Sequence, residues 1–341
     1  MTQTRGKDGP VQIGQLPLLK SLAKQYKPPT RAQHQFVETA AAIRENPDDA
    51  ERAFMARQLI LCTLPHSDPG DLPAWSRESG NSALIVQPGY DLEAGKPRSI
   101  GYPYGTIPRL LLFWITTEVQ RTKNRSDLTI LEKRTLKLGR SLAHFMREVG
   151  LNPDTGRGKR GDAKRLHNQM DRLFSSRITF QQKIETPDAH GKRKLDMPVT
   201  SQTELWWDPK RPEQGALWQS WVRLGEDFYN ALVALPVPVD MRALRALKRS
   251  SLALDLYAWV CYRAFVIVQK NQPPQFTAWT LLARQLGADY TDPKNFKKKT
   301  KAALRKIAAL YPGLTIGQAQ GGLTIHATRL AVPLRHTGKV L

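Results

Sequence analysis

The apolar positions of the chain recur in the same order along two stretches. Each stretch has a strongly apolar helix, a short amphipathic helix, a third helix rich in lysine and arginine, and then two short strands. The first copy runs roughly from Tyr104 to Trp206 and the second roughly from Ser250 to His326. Because a basic helix followed by a hairpin is the layout of a winged helix-turn-helix, the pattern predicts two such units.

The second helices give the clearest internal match. Both have an i, i+3, i+4, i+7 stripe that is closed by a glycine, which is typical of an amphipathic helix and its C-terminal stop. The stripes are Leu142, Phe145, Met146 and Val149 before Gly150, and Trp279, Leu282, Ala283 and Leu286 before Gly287.

The remaining elements are predicted from periodicity and from proline and glycine positions. Helices are expected at Arg31 to Glu45, Asp48 to Leu64, Ile107 to Val119, Arg160 to Phe174, Leu217 to Leu235 and Pro293 to Tyr311. Strands are expected at Leu84 to Val86, Arg177 to Phe180, Leu314 to Ile316 and Leu323 to Ile325, with a turn from Pro187 to Gly191.

The predicted fold class is α+β, mainly α, with two tandem winged helix-turn-helix domains after a flexible arm and a short helical segment. A boundary is placed at Pro236-Val237-Pro238, because prolines interrupt the pattern there. The predicted divisions are a flexible arm (1–30), a helical N-terminal segment (31–83), winged-helix domain 1 (84–235), winged-helix domain 2 (236–330) and a flexible tail (331–341).

Composition and charge narrow the range of partners. The 341 residues are 40% hydrophobic, enough for about two cores, and 52 Lys+Arg against 30 Asp+Glu leave a formal charge of +22. Such a charge favours nucleic acid as the partner, and no apolar run is long enough to cross a bilayer. We therefore expect a cytoplasmic protein without a membrane partner, in which Cys62 and Cys261 are buried thiols.

The two third helices are each predicted to bury an apolar stripe and to turn cations outward. In the first, Arg165, Asn168 and Arg172 carry directed donors and are the candidates for reading bases. Asn295 is the comparable residue of the second, and lysines suit phosphates. The complete set of predicted DNA-binding residues is Lys159, Arg160, Lys164, Arg165, Asn168, Arg172, Lys192, Arg193, Lys194, Lys294, Asn295, Lys297, Lys298, Lys301 and Arg305.

Catalytic patterns are missing from the sequence. No Gly-x-x-x-x-Gly-Lys-Ser/Thr motif occurs, and the seven histidines are scattered without a metal-ligand pair. A strand-transferring tyrosine remains open, because any of Tyr90, Tyr229, Tyr257 or Tyr290 could in principle attack a phosphate. The expectation is a protein that is not an enzyme and has no catalytic residue, cofactor or metal.

Several stretches resemble a known family. The run from Gly101 to Glu118, which reads Gly-Tyr-Pro-Tyr-Gly-Thr-Ile-Pro-Arg-Leu-Leu-Leu-Phe-Trp-Ile-Thr-Thr-Glu, looks like the signature of plasmid-encoded RepA replication initiators. Further similarity lies in Leu138 to Leu151, in Arg165 to Phe180, and in Ala253 to Trp259. The resemblance covers about Leu84 to Leu330, and the charged insertion from Lys123 to Lys137 departs from it.

The resemblance implies an initiator that binds direct repeats, called iterons, at a plasmid origin. Such proteins help to open an adjacent A·T-rich segment and bring in the host initiator and the replicative helicase. Many initiators of this type bind DNA as monomers and form homodimers that repress their own promoter. The resemblance therefore implies a bacterial protein that acts on double-stranded plasmid DNA and controls copy number.

A second resemblance lies in the arm. Gln15-Leu16-Pro17-Leu18-Leu19 is similar to the Gln-Leu-Ser/Asp-Leu-Phe peptide by which bacterial proteins dock on the sliding clamp, with departures at Pro17 and Leu19. The clamp residues would be Gln15, Leu16, Leu18 and Leu19.

Two alternatives to the initiator stay open. A winged-helix transcriptional repressor would bind a palindromic operator and usually needs one reading helix per subunit, whereas two units on one chain favour direct repeats. A DNA-nicking replication enzyme would instead cleave a supercoiled origin in the presence of metal. Footprinting and a cleavage assay separate the three.

Overall fold

A computed structural model describes residues 29–139, 141–154, 161–186, 189–205, 220–286, 290 and 292–333. Residues 39–341 form one compact unit, and residues 1–38 form a separate unit that is described only from residue 29. The structure is 44% helical and 29% strand, so the predicted mixture in which helices predominate is confirmed. The division into two tandem winged-helix domains stays a prediction.

The elements follow in chain order. The helices are α1 (Arg31–Glu45), α2 (Arg57–Leu61), α3 (Thr106–Thr122), α4 (Ile130–Arg134), α5 (Leu142–Glu148), α6 (Asp162–Phe174), α7 (Glu226–Ala234), α8 (Met241–Leu247), α9 (Ser251–Gln269), α10 (Trp279–Leu286) and α11 (Pro293–Leu310). The strands are β1 (Arg52–Ala56), β2 (Trp75–Ser79), β3 (Ser82–Gln87), β4 (Gly89–Glu93), β5 (Lys96–Gly101), β6 (Thr135–Lys137), β7 (Arg177–Thr186), β8 (Ala189–Pro198), β9 (Thr200–Glu204), β10 (Trp221–Leu224), β11 (Pro236–Asp240), β12 (Gln275–Ala278), β13 (Leu314–Ala319) and β14 (Gly322–Ala327).

Two helices, α3 and α9, each bury twelve residues. Because nearly every face of α3 is apolar, it is buried almost all round, and its Trp114 meets Phe145 of α5 edge to face at 4.9 Å between ring centroids. In α9, Trp259 is fully buried and its indole N–H donates to Gln285 Oε1 at 3.0 Å. Each such side chain contributes about 2 kcal/mol or more through its apolar area alone.

A four-stranded antiparallel sheet in the order β2-β3-β7-β8 carries the first hairpin. Its inner face at the base of the hairpin is apolar, with Leu84, Ile178 and Met197 fully buried. The predicted strand at Leu84 to Val86 is part of β3, whereas β7 has ten residues and extends well beyond the predicted Arg177 to Phe180. The pattern missed the outer half of β7 because those positions are mostly polar and no face there is buried.

The second hairpin, β13 and β14, belongs to a three-stranded sheet in the order β12-β14-β13. The other sheets of the described chain are β6-β10-β9, β4-β5 and β1-β11. Strand β12 was not predicted, and its residues Gln275–Ala278 pair with the first four residues of β14.

The predicted helix from Asp48 to Leu64 is wrong. Residues Arg52–Ala56 form strand β1, and only Arg57–Leu61 is helical. Pro236-Val237-Pro238, where the domain boundary was predicted, lies within strand β11, which pairs antiparallel with β1. The pairing of β1 with β11, which are far apart in the chain, decided the conformation of both segments. Periodicity within one segment cannot predict such a pairing.

The predicted helix from Leu217 to Leu235 is also partly wrong, because strand β10 comes before α7. Gly225 separates the two elements, and a side chain at this glycine would collide with the carbonyl of Pro198. The insertion from Lys123 to Lys137 contains α4, whose N-terminus has a capping box of Thr129 and Glu132, and then β6.

The start of the predicted flexible tail is packed rather than free. Val332 is 2% exposed, and Arg52 donates to the carbonyl of Pro333. Residues 334–341 lie outside the described residues, as do residues 1–28 of the predicted arm.

Both cysteines are buried free thiols, as predicted, and burial raises the pKa of Cys62 to about 11. Within the described chain, α9 alone is long and apolar enough to span a membrane, and 67% of that stretch is buried, as in the core helix of a compact protein.

Candidate nucleic-acid interface

Helix α6 presents polar side chains from its N-terminal half. Leu166, Met170 and Leu173 are fully buried, as the apolar stripe predicts. Lys164, Arg165 and Asn168 lie on the opposite side, at i, i+1 and i+4, so they point in a common direction away from the core. The guanidinium of Arg165 lies 3.1 Å from Asp162, an exposed contact of small energetic value that another partner could replace. The predicted helix from Arg160 to Phe174 is confirmed from Asp162 onward.

Arg172 is the exception on this helix, since the prediction that it points outward is wrong. Its side chain is only 16% exposed and its Nη1 lies 2.9 Å from Asp68 Oδ2. It also donates to the carbonyl of Tyr102 and stacks over the ring of Tyr104. Gln169, one turn earlier, is buried as well and accepts from the Tyr104 backbone N–H at 2.9 Å. Two polar residues of α6 thus satisfy backbone groups of the segment before α3, a use that apolar periodicity does not reveal.

Two titratable groups on α6 have shifted pKa values. Burial and the neighbouring Lys164 cation lower the pKa of His167 to about 4. Burial and the charge of Asp91 raise the pKa of Asp171 to about 6. Their side chains lie 3.2 Å apart, so at neutral pH a neutral imidazole contacts a carboxylate.

The hairpin of β7 and β8 is a basic ribbon. Lys192, Arg193 and Lys194 are all exposed, but they lie within β8 rather than just after a turn. The predicted turn from Pro187 to Gly191 is too long, because pairing continues to Thr186 opposite Ala189. Residues 187 and 188 lie outside the described residues.

Lys183, which the sequence reasoning missed, is exposed directly opposite Lys192. Like charges that face each other across a strand pair cost stability in the free protein, and a polyanion would relieve that cost. The missed signal was the continuation of β7 through Gln181-Gln182-Lys183 beyond the predicted strand.

Helix α11 carries the largest group of exposed cations on one helix of the described chain. Asp292 caps it by accepting from the Lys294 backbone N–H at 2.8 Å, and Phe296, Ile307 and Leu310 are buried, as predicted. The predicted residues Lys294, Asn295, Lys297, Lys298 and Arg305 are exposed. Lys299 and Lys306 are exposed too and were not in the predicted set.

Neighbours hold two of the lysines of α11. The ammonium of Lys297 lies 5.5 Å from the ring centroid of Trp279 in α10. Lys301 is half-buried, and its ammonium donates to Gln318 of β13 at 2.9 Å. Helix α11 is therefore joined to both the preceding helix and the following hairpin.

The second hairpin contains neither lysine nor arginine from Leu314 through Ala327. Its turn, Gln320-Gly321, is small and polar. The cations of the second helix–hairpin unit therefore lie on the helix, while those of the first lie on both the helix and the ribbon.

A buried ionic cluster joins the two helix–hairpin units through α3 and α9, the apolar helices with which they begin. Arg109 of α3 makes two hydrogen bonds to Asp255 of α9, at 2.7 and 2.8 Å, and His66 Nε2 lies 2.9 Å from the same carboxylate. The remaining N–H groups of Arg109 donate to the carbonyls of residues 64, 65 and 105. The guanidinium keeps the pKa of Asp255 at about 2 despite burial, which alone would raise it, and burial lowers the pKa of His66. Sequence periodicity missed this cluster, because both charged residues sit inside apolar helices.

A second contact between the units is made by α10, which packs against β2 at the edge of the first sheet. The basic ribbon and helix α11 are thereby parts of one continuous body, separated by β3, β2 and α10.

Some predicted site residues are not described. Lys159 and Arg160 precede α6 and lie outside the described residues, as do the clamp-motif positions Gln15, Leu16, Leu18 and Leu19. The binding roles of all the predicted site residues stay predictions.

The four candidate tyrosines do not form a common site. Tyr229 and Tyr257 are buried, and the Tyr257 hydroxyl accepts from the backbone N–H of Asp240. Tyr90 is exposed on β4, and Tyr290 packs against Phe296. Among the residues that the structure describes, no group of three or more His, Cys, Asp and Glu side chains could hold a metal ion.

Comparison with known proteins gives one family match. Residues 102–280, more than half of the chain, match the family model of plasmid-encoded RepA proteins. No curated protein matches the chain. A crystal structure of RctB domains 2-3 is similar with a TM-score of 0.42 and 10% identity, over 79% of this chain and 94% of that one, a likeness too low to support an assignment. The matched residues contain α3, α6, the basic ribbon and the Arg109–Asp255 pair, and the chain belongs to the plasmid-encoded RepA proteins, a family of plasmid replication proteins.

Proposed function

We propose that the protein initiates plasmid replication by binding direct repeats, or iterons, at the plasmid origin. Membership of the RepA family supports the role of a replication initiator. A net charge of +22 supports DNA as the partner.

The observation that carries the proposal is the presence of two basic surfaces on one compact unit. One surface consists of the N-terminal half of α6 and the ribbon of β7 and β8, and the other is the exposed side of α11. The Arg109–Asp255 pair and the packing of α10 on β2 hold the two in a fixed relation. The two basic surfaces are unlike and fixed in position. They therefore suit an asymmetric DNA site of about two helical turns, repeated head to tail, better than they suit a palindromic site.

The two surfaces differ in the chemistry that they offer. Arg165 and Asn168 can donate in directed pairs to base edges, and they lie on the half of α6 that enters a major groove in helix-turn-helix proteins. The lysines of α11 are point charges on flexible stems and suit phosphates. The first surface would read sequence, and the second would add affinity that depends strongly on salt.

The finer steps are part of the same proposal. Once bound to its repeats in the bacterial cytoplasm, the protein helps to open adjacent A·T-rich DNA and recruits the host initiator and the replicative helicase. The peptide from Gln15 to Leu19 contacts the sliding clamp, and a homodimer represses the promoter and limits copy number. No catalytic step is assigned to the chain.

Footprinting on the DNA that flanks the coding gene tests the proposal. Protection of several direct repeats, each about two helical turns long, is the expected result. Protection of a single palindrome would favour a transcriptional repressor instead. Metal-dependent cleavage of a supercoiled plasmid with that DNA would favour a nicking enzyme, and Tyr90→Phe would then be the first variant to make, since Tyr90 is exposed.

A further inference from the structure

The outer end of the β7–β8 ribbon projects beyond the sheet that supports it. Strand β3 pairs with β7 only as far as Gln182, and the last tie is the Lys183 backbone N–H, which donates to the Asn81 carbonyl at 2.7 Å. The β7–β8 pairing continues to Thr186 opposite Ala189. The three residues beyond Lys183, at about 3.4 Å each, make a projection of about 10 Å, which is longer than the depth of a minor groove, about 7.5 Å.

The two faces of this projection differ chemically. Residues that lie directly opposite each other, or two apart on one strand, share a face. Lys183, Lys192 and Lys194 share one face, whereas Ile184 and Arg193 share the other. Toward the base of the ribbon, this second face continues into the buried core through Ile178 and Met197.

Ile184 is the outermost large apolar residue of that second face, two residues before the last pair, Thr186 with Ala189. It is 40% exposed, and its cross-strand partner is Gly191, which has no side chain to cover it. Leu195 has a similar exposure of 37%. Its cross-strand partner is Phe180, at a level where β7 is still paired with β3. Single exposed apolar side chains are common on protein surfaces, but Ile184 is flanked by cations that attract DNA, so the apolar surface it would meet on the ligand is that of the stacked bases.

We propose that Ile184 is a wedge, which the ribbon inserts between stacked base pairs from the minor groove, with Arg193 beside it in the groove. Lys183, Lys192 and Lys194 then lie on the outward face, and their long side chains bend toward the phosphates at the edges of the groove. This inference rests on the proposed function and assigns to one residue a part in distorting the duplex. The apolar surface of one exposed isoleucine is small, whereas unstacking a base step is costly. The wedge therefore works only where the cations add binding energy and where the step is flexible, as at TpA steps of A·T-rich DNA.

The test uses a duplex of alternating A·T pairs with 2-aminopurine at one TpA step, at low salt, where binding does not require the origin sequence. The full-length protein should raise the fluorescence of 2-aminopurine as the base unstacks. Ile184→Ala should bind within about threefold of the unchanged protein and lose more than about half of the fluorescence rise. Leu195→Ala is the matched control, with a similar reduction of apolar surface away from the projection, and should keep the rise.

The outcomes separate the wedge from the proposed function. Ile184→Ala that keeps the full rise, or a bound wild-type protein that produces none, overturns the wedge and leaves origin binding standing. Failure of the wild-type protein to bind this duplex or the flanking DNA overturns both. Recovery of the rise in Ile184→Leu supports an apolar wedge, and equal thermal melting of the variants excludes unfolding as the cause.

Discussion

The two helix–hairpin units distribute their cations differently: the first has them on both helix and hairpin, and the second on the helix. In the first unit, the third helix presents three polar side chains, while the ribbon carries Lys183, Lys192, Arg193 and Lys194. In the second unit, α11 carries a long cationic face, while the hairpin from Leu314 to Ala327 has no cation. Two units with the same order of elements can thus be specialised by the position of lysines alone, because exposed positions do not have to satisfy the core.

The two units also share a feature. Each buries one strongly apolar helix, and a single ionic pair, Arg109 with Asp255, joins those two helices. A buried pair of this kind contributes little net stability compared with apolar residues of the same size, but breaking it by removal of one partner is costly. The pair is therefore best understood as a device that fixes the relation between the units.

The largest effect is expected when this junction is broken. Arg109→Met leaves the carboxylate of Asp255 buried without its main partner and should lower the free energy of unfolding by about 3–5 kcal/mol, measured in urea. Arg121→Met removes an exposed pair with Glu118 and is the matched control, with a change within about 0.5 kcal/mol. A decrease below about 1 kcal/mol for Arg109→Met would show that the junction is not what holds the units together.

Acid should weaken the same junction. The pKa of Asp255, about 2, lies below its unfolded value of about 3.9, so its contribution is complete above about pH 4 and disappears as the pH falls toward 2.

The next effect compares the two basic surfaces through the salt dependence of DNA binding. Replacement of Lys183, Lys192 and Lys194 by alanine should reduce the slope of log K against log salt by about 0.9 for each phosphate that is no longer neutralised, and so should replacement of Lys294, Lys297 and Lys298. The measurement is a titration of origin DNA at several salt concentrations. If one triple variant leaves the slope unchanged, the ribbon or helix that carries those lysines does not contact phosphate, and the protein binds DNA through one basic surface.

A smaller effect distinguishes recognition of the base sequence from contact with the phosphates. Arg165→Ala should reduce the preference for its cognate base pair by about 1–3 kcal/mol, whereas Lys298→Ala should weaken all sites about equally. Both are exposed, so neither should affect folding. An equal weakening on cognate and scrambled DNA for Arg165→Ala would contradict the role of α6 as the reading helix.

The smallest effect concerns pH. DNA brought close to Asp171 should raise its pKa further above about 6, so binding takes up a proton and affinity should rise as the pH falls through 6, by at most about tenfold per pH unit. Asp171→Asn should flatten this dependence. Asp127→Asn is the control, because Arg125 keeps the pKa of Asp127 low and its carboxylate stays charged over this range. An unchanged slope in Asp171→Asn would place α6 away from the DNA.

The sequence predicted the elements whose burial is local. Helix α3, the stripes of α5 and α10, and both basic helices follow from periods of 3.6 residues, and the structure has all of them. The segment from Asp48 to Leu64 was predicted as a helix and failed, because β1 depends on a strand almost two hundred residues away. Arg172 failed for a related reason, since its position was decided by an aspartate and two tyrosines from the segment before α3.

By itself, the sequence determined that the protein is basic, that two similar runs of helices and strands follow each other, and that cations cluster on their third helices. These properties are carried by composition and short-range periodicity. Only the tertiary structure decided that the ribbon extends beyond its sheet, that Arg172 is bound within the protein, and that Arg109 and Asp255 join the units. Each of these depends on contacts between residues far apart in the chain, where a buried charge or a strand edge is stabilised by its partner and not by its neighbours in sequence.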